Sequence, residues 1–252
     1  MKRLILIMNG KGGVGKSTVA NNLVQYFKDN GVAHRAVDTD DENSTLTRFH
    51  PEADFADITN TRGLDLLFEK LRKTDVVVVD CRAASTDLIL GYLEEVDAFD
   101  VLRSLEASLT VVMPVNHELD SIEQLRVISS TLGNRCAYIV VRNQVHSQEF
   151  MVYDQSQTRH RLLKELQCGE IVLPKLHDWL VVSLSTLGVS VTTAISGSEF
   201  SLLDRQRLKT WQRKLYEQLD AARVFLIPSG THAEVSASPS DSERASEVAL
   251  IQ

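Results

Sequence analysis

Residues 4–23 read LILIMNGKGGVGKSTVANNL, and this stretch decides the fold. A short apolar run gives way to glycines and then to a pattern suited to a helix. Gly10, Gly15, Lys16 and Ser17 fit the spacing GxxxxGK[ST]. Between a strand and a helix, that spacing marks a phosphate-binding loop. Its glycines let successive backbone N–H groups turn inward as an anion nest, and the helix N-terminus adds partial positive charge. The expected binding set is Gly12, Gly13, Val14, Gly15, Lys16, Ser17 and Thr18. Lys16 is placed to reach the β- and γ-phosphates, and the Ser17 hydroxyl to hold Mg2+.

Outward from this loop, apolar runs at 4–8, 76–79, 109–115, 137–141 and 171–173 are short and rich in β-branched residues. Buried parallel strands have that composition. A weaker strand at 33–38 is placed by position more than by hydrophobicity. Helical patterns lie between them. Ala20, Leu23, Val24 and Phe27 make one apolar face; Leu64, Leu67, Phe68 and Leu71 make another; Ile122, Leu125, Ile128 and Leu132 make a third. This alternation predicts an α/β fold, a single P-loop NTPase domain with a mostly parallel twisted sheet and helices on both faces. The domain is expected over residues 1–228. Its last helix, 201–223, has Leu208, Trp211, Leu215 and Leu219 as its buried stripe. After Pro228 the chain turns to Ser, Ala, Glu and Asp, and 229–252 reads as a disordered tail.

Composition agrees. The chain has 252 residues, 43% hydrophobic and 24% charged, with a net charge of −7. That excludes a disordered or collagen-like chain and a protein that coats nucleic acid by bulk charge. Cys81, Cys136 and Cys168 are too widely spaced for a zinc site or a disulfide framework, and read as reduced thiols in a cytoplasmic protein. No apolar run suits a transmembrane helix, and the N-terminal run is too short for a signal peptide.

Acidic residues follow two of the strands. Asp38 and Asp40 lie in AVDTDDENS, and Asp80 closes TDVVVVD, a Walker B pattern. Carboxylates at strand C-termini share a rim with the phosphate loop, where open α/β sheets bind ligands, so all three are candidates for work around Mg2+. Asn143 follows a buried strand in AYIVVRNQV. Its amide offers the donor and acceptor needed to read adenine. The run Arg142-Asn143-Gln144-Val145 lacks the NKxD guanine motif, which favours ATP over GTP.

The run KGGVGKST, with Lys11 beside the usual loop, resembles the deviant Walker A box of the ParA/MinD ATPases. The resemblance covers about residues 1–225 and is strongest in the first 45. It implies that Lys11 reaches across an ATP-bound homodimer, that Asp38 supports the metal shell with Ser17 and Asp80, and that Asp40 positions the attacking water. It also implies that Asn143 contacts adenine, and that Pro174, in EIVLPKL, lines the base from the other side. Two departures stand out. Asp41-Glu42 replaces the family's Pro-Gln, and Asp80 is followed by Cys81-Arg82 in place of DxP or DxG. Arg82 is open to pairing with a phosphate or with a neighbouring acid. Cys81 reads as a small strand-end residue, since no histidine is placed to activate it.

The function implied is a Mg-dependent ATP hydrolase that dimerises on ATP. It would act in plasmid or DNA partition or cargo positioning, with a partner protein that stimulates hydrolysis. The alternatives are a conjugal-transfer ATPase of the same family and an ATP-dependent metabolic enzyme on the same scaffold. The cysteines do not match an iron-protein cluster. The tail is too poor in basic and bulky apolar residues for a MinD-like membrane anchor. Non-specific DNA contact would rest on Arg205, Arg207, Lys209, Arg213 and Lys214, which spread around the last helix.

Overall fold

The computed structural model describes residues 1–41 and 44–228. The tail expected over 229–252, and Glu42 of the first acidic run, lie outside the described residues. The elements in order are β1 (Lys2–Ile7), α1 (Lys16–Asp29), β2 (His34–Asp38), α2 (Thr45–Phe49), β3 (Asp54–Phe55), α3 (Thr61–Lys73) and β4 (Val76–Asp80). Then come α4 (Thr86–Glu95), α5 (Ala98–Ser104), β5 (Ala107–Val115), α6 (Leu119–Leu132), β6 (Ala137–Asn143), α7 (Met151–Asp154) and α8 (Gln157–Glu165). The chain closes with β7 (Cys168–Leu173), α9 (Asp178–Leu187), α10 (Val191–Ser196), α11 (Leu202–Ala221) and α12 (Arg223–Leu226).

Among the described residues the strands form one 7-stranded sheet in the order β3-β2-β4-β1-β5-β6-β7. Every pairing is parallel. Side chains alternate across the strands, and both faces are covered. Leu4, Leu6, Val77 and Val79 pack with Leu64, Leu67, Ile122 and Leu125 on one face. Ile5, Ile7, Val76 and Val78 pack with Leu23, Phe27, Leu180 and Leu208 on the other. Each such side chain contributes about 1.5–3 kcal/mol on full burial. Double coverage explains why the strands read as unbroken apolar runs instead of alternating ones.

The expected stripes are the buried ones. Leu208, Trp211, Leu215 and Leu219 face inward along α11. The helix anticipated at 201–223 ends sooner and is followed by α12, with Ala222 at the junction. The two-residue β3 carries no hydrophobic signature. Its place at the sheet edge is held by the Lys70–Asp54 ion pair at 2.6 Å and by Ala56 N–H donating to the Asp38 carbonyl at 2.9 Å.

From β1 the chain first builds the β2–β3 side, returns through β4, and then crosses to β5. The C-terminal ends of β1, β2 and β4 therefore sit side by side where the winding reverses, the place open α/β sheets use for ligands.

Candidate nucleotide site

The phosphate loop joins β1 to α1, and three side-chain amides brace it. Asn9 Nδ2 donates to the carbonyls of Pro114 and Ser121 at 2.9 and 3.0 Å, while its Oδ1 accepts from Lys11 N–H at 3.0 Å. Gln124 on α6 accepts from Gly10 N–H at 3.2 Å. Asn143, at the end of β6, donates to the Val14 carbonyl at 2.9 Å. Gly15 has a φ of 96°, and a Cβ there would lie 2.2 Å from Asn143 Nδ2, so conformation and space both demand glycine. Asn9 and Gln124 were not singled out from sequence; the only local signal was a polar residue directly before Gly10.

Lys16 is 8% exposed, and its Nζ donates to the Lys11 carbonyl at 3.2 Å. Burial lowers its pKa, opposed chiefly by the charge of Asp80. Val14 is buried, Gly15 and Ser17 are half-buried, and Gly12, Gly13 and Thr18 are exposed at the mouth.

The carboxylates meet at this mouth. Asp38 is fully buried. Its Oδ1 accepts from Asp40 N–H at 3.0 Å, and its Oδ2 from Leu46 and Thr47 N–H at 3.1 and 3.2 Å. Burial pushes its pKa up, while those three backbone donors pull it back. Asp38 is thus tied to the start of α2 and to the turn carrying Asp40, which is half-buried. Both oxygens of Asp80 are buried without a hydrogen-bond partner among the described residues. Desolvation pushes this carboxyl up to about 7. The Ser17 hydroxyl and Lys16 draw it partly down, although Ser17 does not reach it with full hydrogen-bond geometry. Thr39, which sequence reasoning passed over, links the two acidic segments. Its hydroxyl donates to the Asp80 carbonyl and accepts from Arg82 N–H, both at 2.9 Å.

These residues fit a Mg2+ ion. An orphaned, desolvated carboxylate faces a lysine and a serine beneath an anion nest, and a cation relieves that strain. Among the described residues no three acidic, histidine or cysteine side chains converge as a cage. Mg2+ does not require one, because it is held mainly by water, phosphate and one or two carboxylates.

Lys11 lies folded back on its own chain, 3.2 Å from Glu118 and 3.3 Å from Asp120 at the start of α6. Those acids raise its pKa, the hydrogen bond to Glu118 first. Pro174 lies beyond β7, where Trp211 Nε1 donates to its carbonyl at 2.8 Å. A cleft of about 220 Å³ beside it is lined by Thr18, Asn22, Leu173, Pro174, Val189 and Trp211 among others. Asn143 was expected to offer both sides of its amide to a base. In the fold its Nδ2 donates to the phosphate loop, and its Oδ1 accepts from Val145 N–H at 3.1 Å.

The family described as CbiA, the CobQ/CobB/MinD/ParA nucleotide binding domain, matches residues 5–226. The chain belongs to this family. It is a P-loop nucleotide-binding protein of the ParA/MinD ATPase group, with the fold of that group. Among its relatives, Protein TraL of Escherichia coli is 27% identical over 89% of this chain and 100% of that protein. Protein MobD of Acidithiobacillus ferrooxidans is 24% identical over 87% of this chain and 97% of its own. Among solved structures, the septum site-determining protein MinD of Pyrococcus horikoshii, complexed with Mg-ADP, superposes with a TM-score of 0.54 at 18% identity. That match covers 89% of this chain and 98% of the other. The MinC:MinD cell division complex of Aquifex aeolicus gives 0.51 at 14% identity, covering 90% and 98%.

Within this ParA/MinD frame the other expected features separate. On α11, Arg205 Nη1 donates to the Gly197 carbonyl at 3.0 Å, and Arg207 and Arg213 pair with Asp204 and Glu217 at 2.9 and 2.6 Å. Lys209 and Lys214 have no ion pair within 4 Å among the described residues. The cysteines are free, and burial pushes all three thiols up, Cys136 and Cys168 to about 12. No helix among the described residues is long and apolar enough to cross a membrane.

Proposed function

We propose that this chain is an ATP-driven switch that binds Mg-ATP at its phosphate loop, pairs with a second copy of itself and hydrolyses the nucleotide. The observation that carries this reading is the unpartnered, buried Asp80 carboxylate beside Lys16 and Ser17 under the glycine nest. Ser17 and Asp80 would hold Mg2+, and Asp38 supports them by fixing the turn that bears Asp40. When bound, Mg2+ neutralises charge developing between the β- and γ-phosphates. Lys16 stabilises the same charge from the loop. Asp40 orients the attacking water. Asn143 acts on the loop from beneath, while Pro174 and its cleft flank the base. Lys11 leaves Glu118 and Asp120 to meet the nucleotide of the second copy.

The biological setting we favour is positioning or transfer of DNA or other large cargo, with a partner protein stimulating hydrolysis. End-to-end matches to TraL and MobD support the conjugal-transfer alternative over plasmid partition. The acidic chain and the locally paired arginines of α11 leave Lys209 and Lys214 as the candidates for any DNA phosphate contact. An ATP-dependent metabolic enzyme on the same scaffold is the rival class.

Light scattering on sized samples in Mg-ATP, with phosphate release followed in parallel, tests the switch. Lys11→Ala is expected to bind ATP but remain monomeric. Asp40→Ala is expected to form a persistent dimer that releases little phosphate, since removing an anion near the γ-phosphate also favours the bound state. If both variants hydrolyse ATP like the parent, the switched-dimer reading is wrong.

A further inference from the structure

Two departures from the family motifs lie far apart in the chain and meet in space. Asp41 stands where the first switch has proline, and Arg82 stands two residues after the Walker B aspartate, where proline or glycine is usual. In the fold, Arg82 Nη1 is 3.4 Å from Asp41 Oδ1. The positive charge of Arg82 also contributes to lowering the pKa of Asp57, behind the hydrogen bonds from Thr59 and Asn60.

The backbone beneath Arg82 is fixed from two sides. Its N–H donates to Thr39 Oγ1 at 2.9 Å, on the first acidic segment. Two residues later, Ala84 N–H donates to the Gly10 carbonyl at 3.1 Å, on the phosphate loop. Ala84 reaches that bond at a φ of 57°, a left-handed conformation that a residue with a Cβ rarely adopts. The segment is therefore wedged between the loop and the first switch. Arg82 is thereby set between the phosphate-loop backbone at Gly10 and the acidic segment that carries Asp40 and Asp41.

The contact that holds this guanidinium is loose. It is one nitrogen against one oxygen, with side chains 35% and 60% exposed. Exposed pairs of this kind contribute little. A phosphate group offers the planar fork two oxygens at once, a stronger and more directional match.

We propose that Arg82 is a phosphate-binding residue of the nucleotide site, held by Asp41 until a terminal phosphate displaces that carboxylate. The inference rests on the ATP-switch reading and names the residue through which the two switch segments register the third phosphate. Asp41 and the phosphate compete for one cation, so the two side chains must act with opposite sign on ATP binding. If the pair only braced the site, loss of either partner would weaken binding in the same direction.

The test is equilibrium titration with fluorescent ATP and ADP analogues in Mg2+, on the parent, Arg82→Gln, Asp41→Asn and the double variant. Arg82→Gln is expected to weaken ATP binding about tenfold, the scale of one charge-assisted contact. Asp41→Asn is expected to tighten it about threefold, by releasing the cation from a weak exposed pair. The double variant should match Arg82→Gln, and ADP affinity should change by about twofold or less throughout. Arg82→Lys, which keeps the charge without the fork, should fall between parent and Arg82→Gln, and it carries the test if Arg82→Gln does not fold. Weakening by both single variants, parallel shifts in ATP and ADP, or no shift at all would overturn the proposal. A parent that binds neither nucleotide sinks the ATP-switch reading as well; a parent that binds both, with unresponsive variants, sinks this inference alone.

Discussion

Asp38 and Asp80 end neighbouring strands as register partners, and they are 0% and 2% exposed. Equal burial at equal height produces two different residues. Asp38 accepts three backbone N–H groups and closes the turn into α2. Asp80 accepts no hydrogen bond among the described residues. The first carboxylate is part of the fold. The second is expected to cost the fold stability, because a buried charge without partners is unfavourable. The contrast marks where the chain departs from its own stability optimum, and such departures cluster at working sites.

Removal of each side chain is the direct way to break this contrast. Asp38→Ala takes the acceptor from three backbone donors, two of them on α2, and should cost about 2–4 kcal/mol in urea unfolding without nucleotide. A loss under about 1 kcal/mol would show that the turn finds other acceptors and that the two aspartates are alike.

Asp80→Asn should move stability the other way. The folded carboxyl is raised to about 7 from an ordinary 3.8. A raised carboxyl contributes stability while it stays protonated, fully below the unfolded value, and that contribution is lost as pH rises through the folded value. Between pH 3.8 and about 7 the nucleotide-free parent therefore loses stability through this one group. Asp80→Asn cannot ionise and should gain about 1–2 kcal/mol relative to the parent at pH 8, a rise of roughly 2–8 °C in Tm. Mg-ATP should then stabilise the parent more than the variant. A variant that melts lower than the parent at pH 8 and equally at pH 4 would refute the sign.

The smallest effect sharpens the comparison on the loop side. Asn143→Ala leaves the Val14 carbonyl without its donor and should cost about 1 kcal/mol of stability. If Asn143 acts through its bond to the loop, affinities for ATP and GTP analogues should fall together. A fall in ATP affinity alone would return Asn143 to the base-reading role suggested by its place after β6.

Much of this could be read in the chain by itself. The GxxxxGK[ST] spacing, the β-branched runs and the stripe Leu208, Trp211, Leu215 and Leu219 are local patterns. They follow from the 2- and 3.6-residue periods of strands and helices. They determined the loop, the parallel α/β sheet and the inward face of α11. Polar partnerships carry no period, and only the tertiary structure decided them. Asn9 and Gln124 brace the loop across 105 and 114 residues of chain. Thr39 reaches the end of β4, 41 residues further along the chain. Asp38 and Asp80 look alike in sequence because both close a strand before a turn. Whether backbone donors lie opposite a carboxylate depends on segments that the chain brings together only when it folds, and that placement gave Asp38 three N–H partners and left Asp80 with none among the described residues.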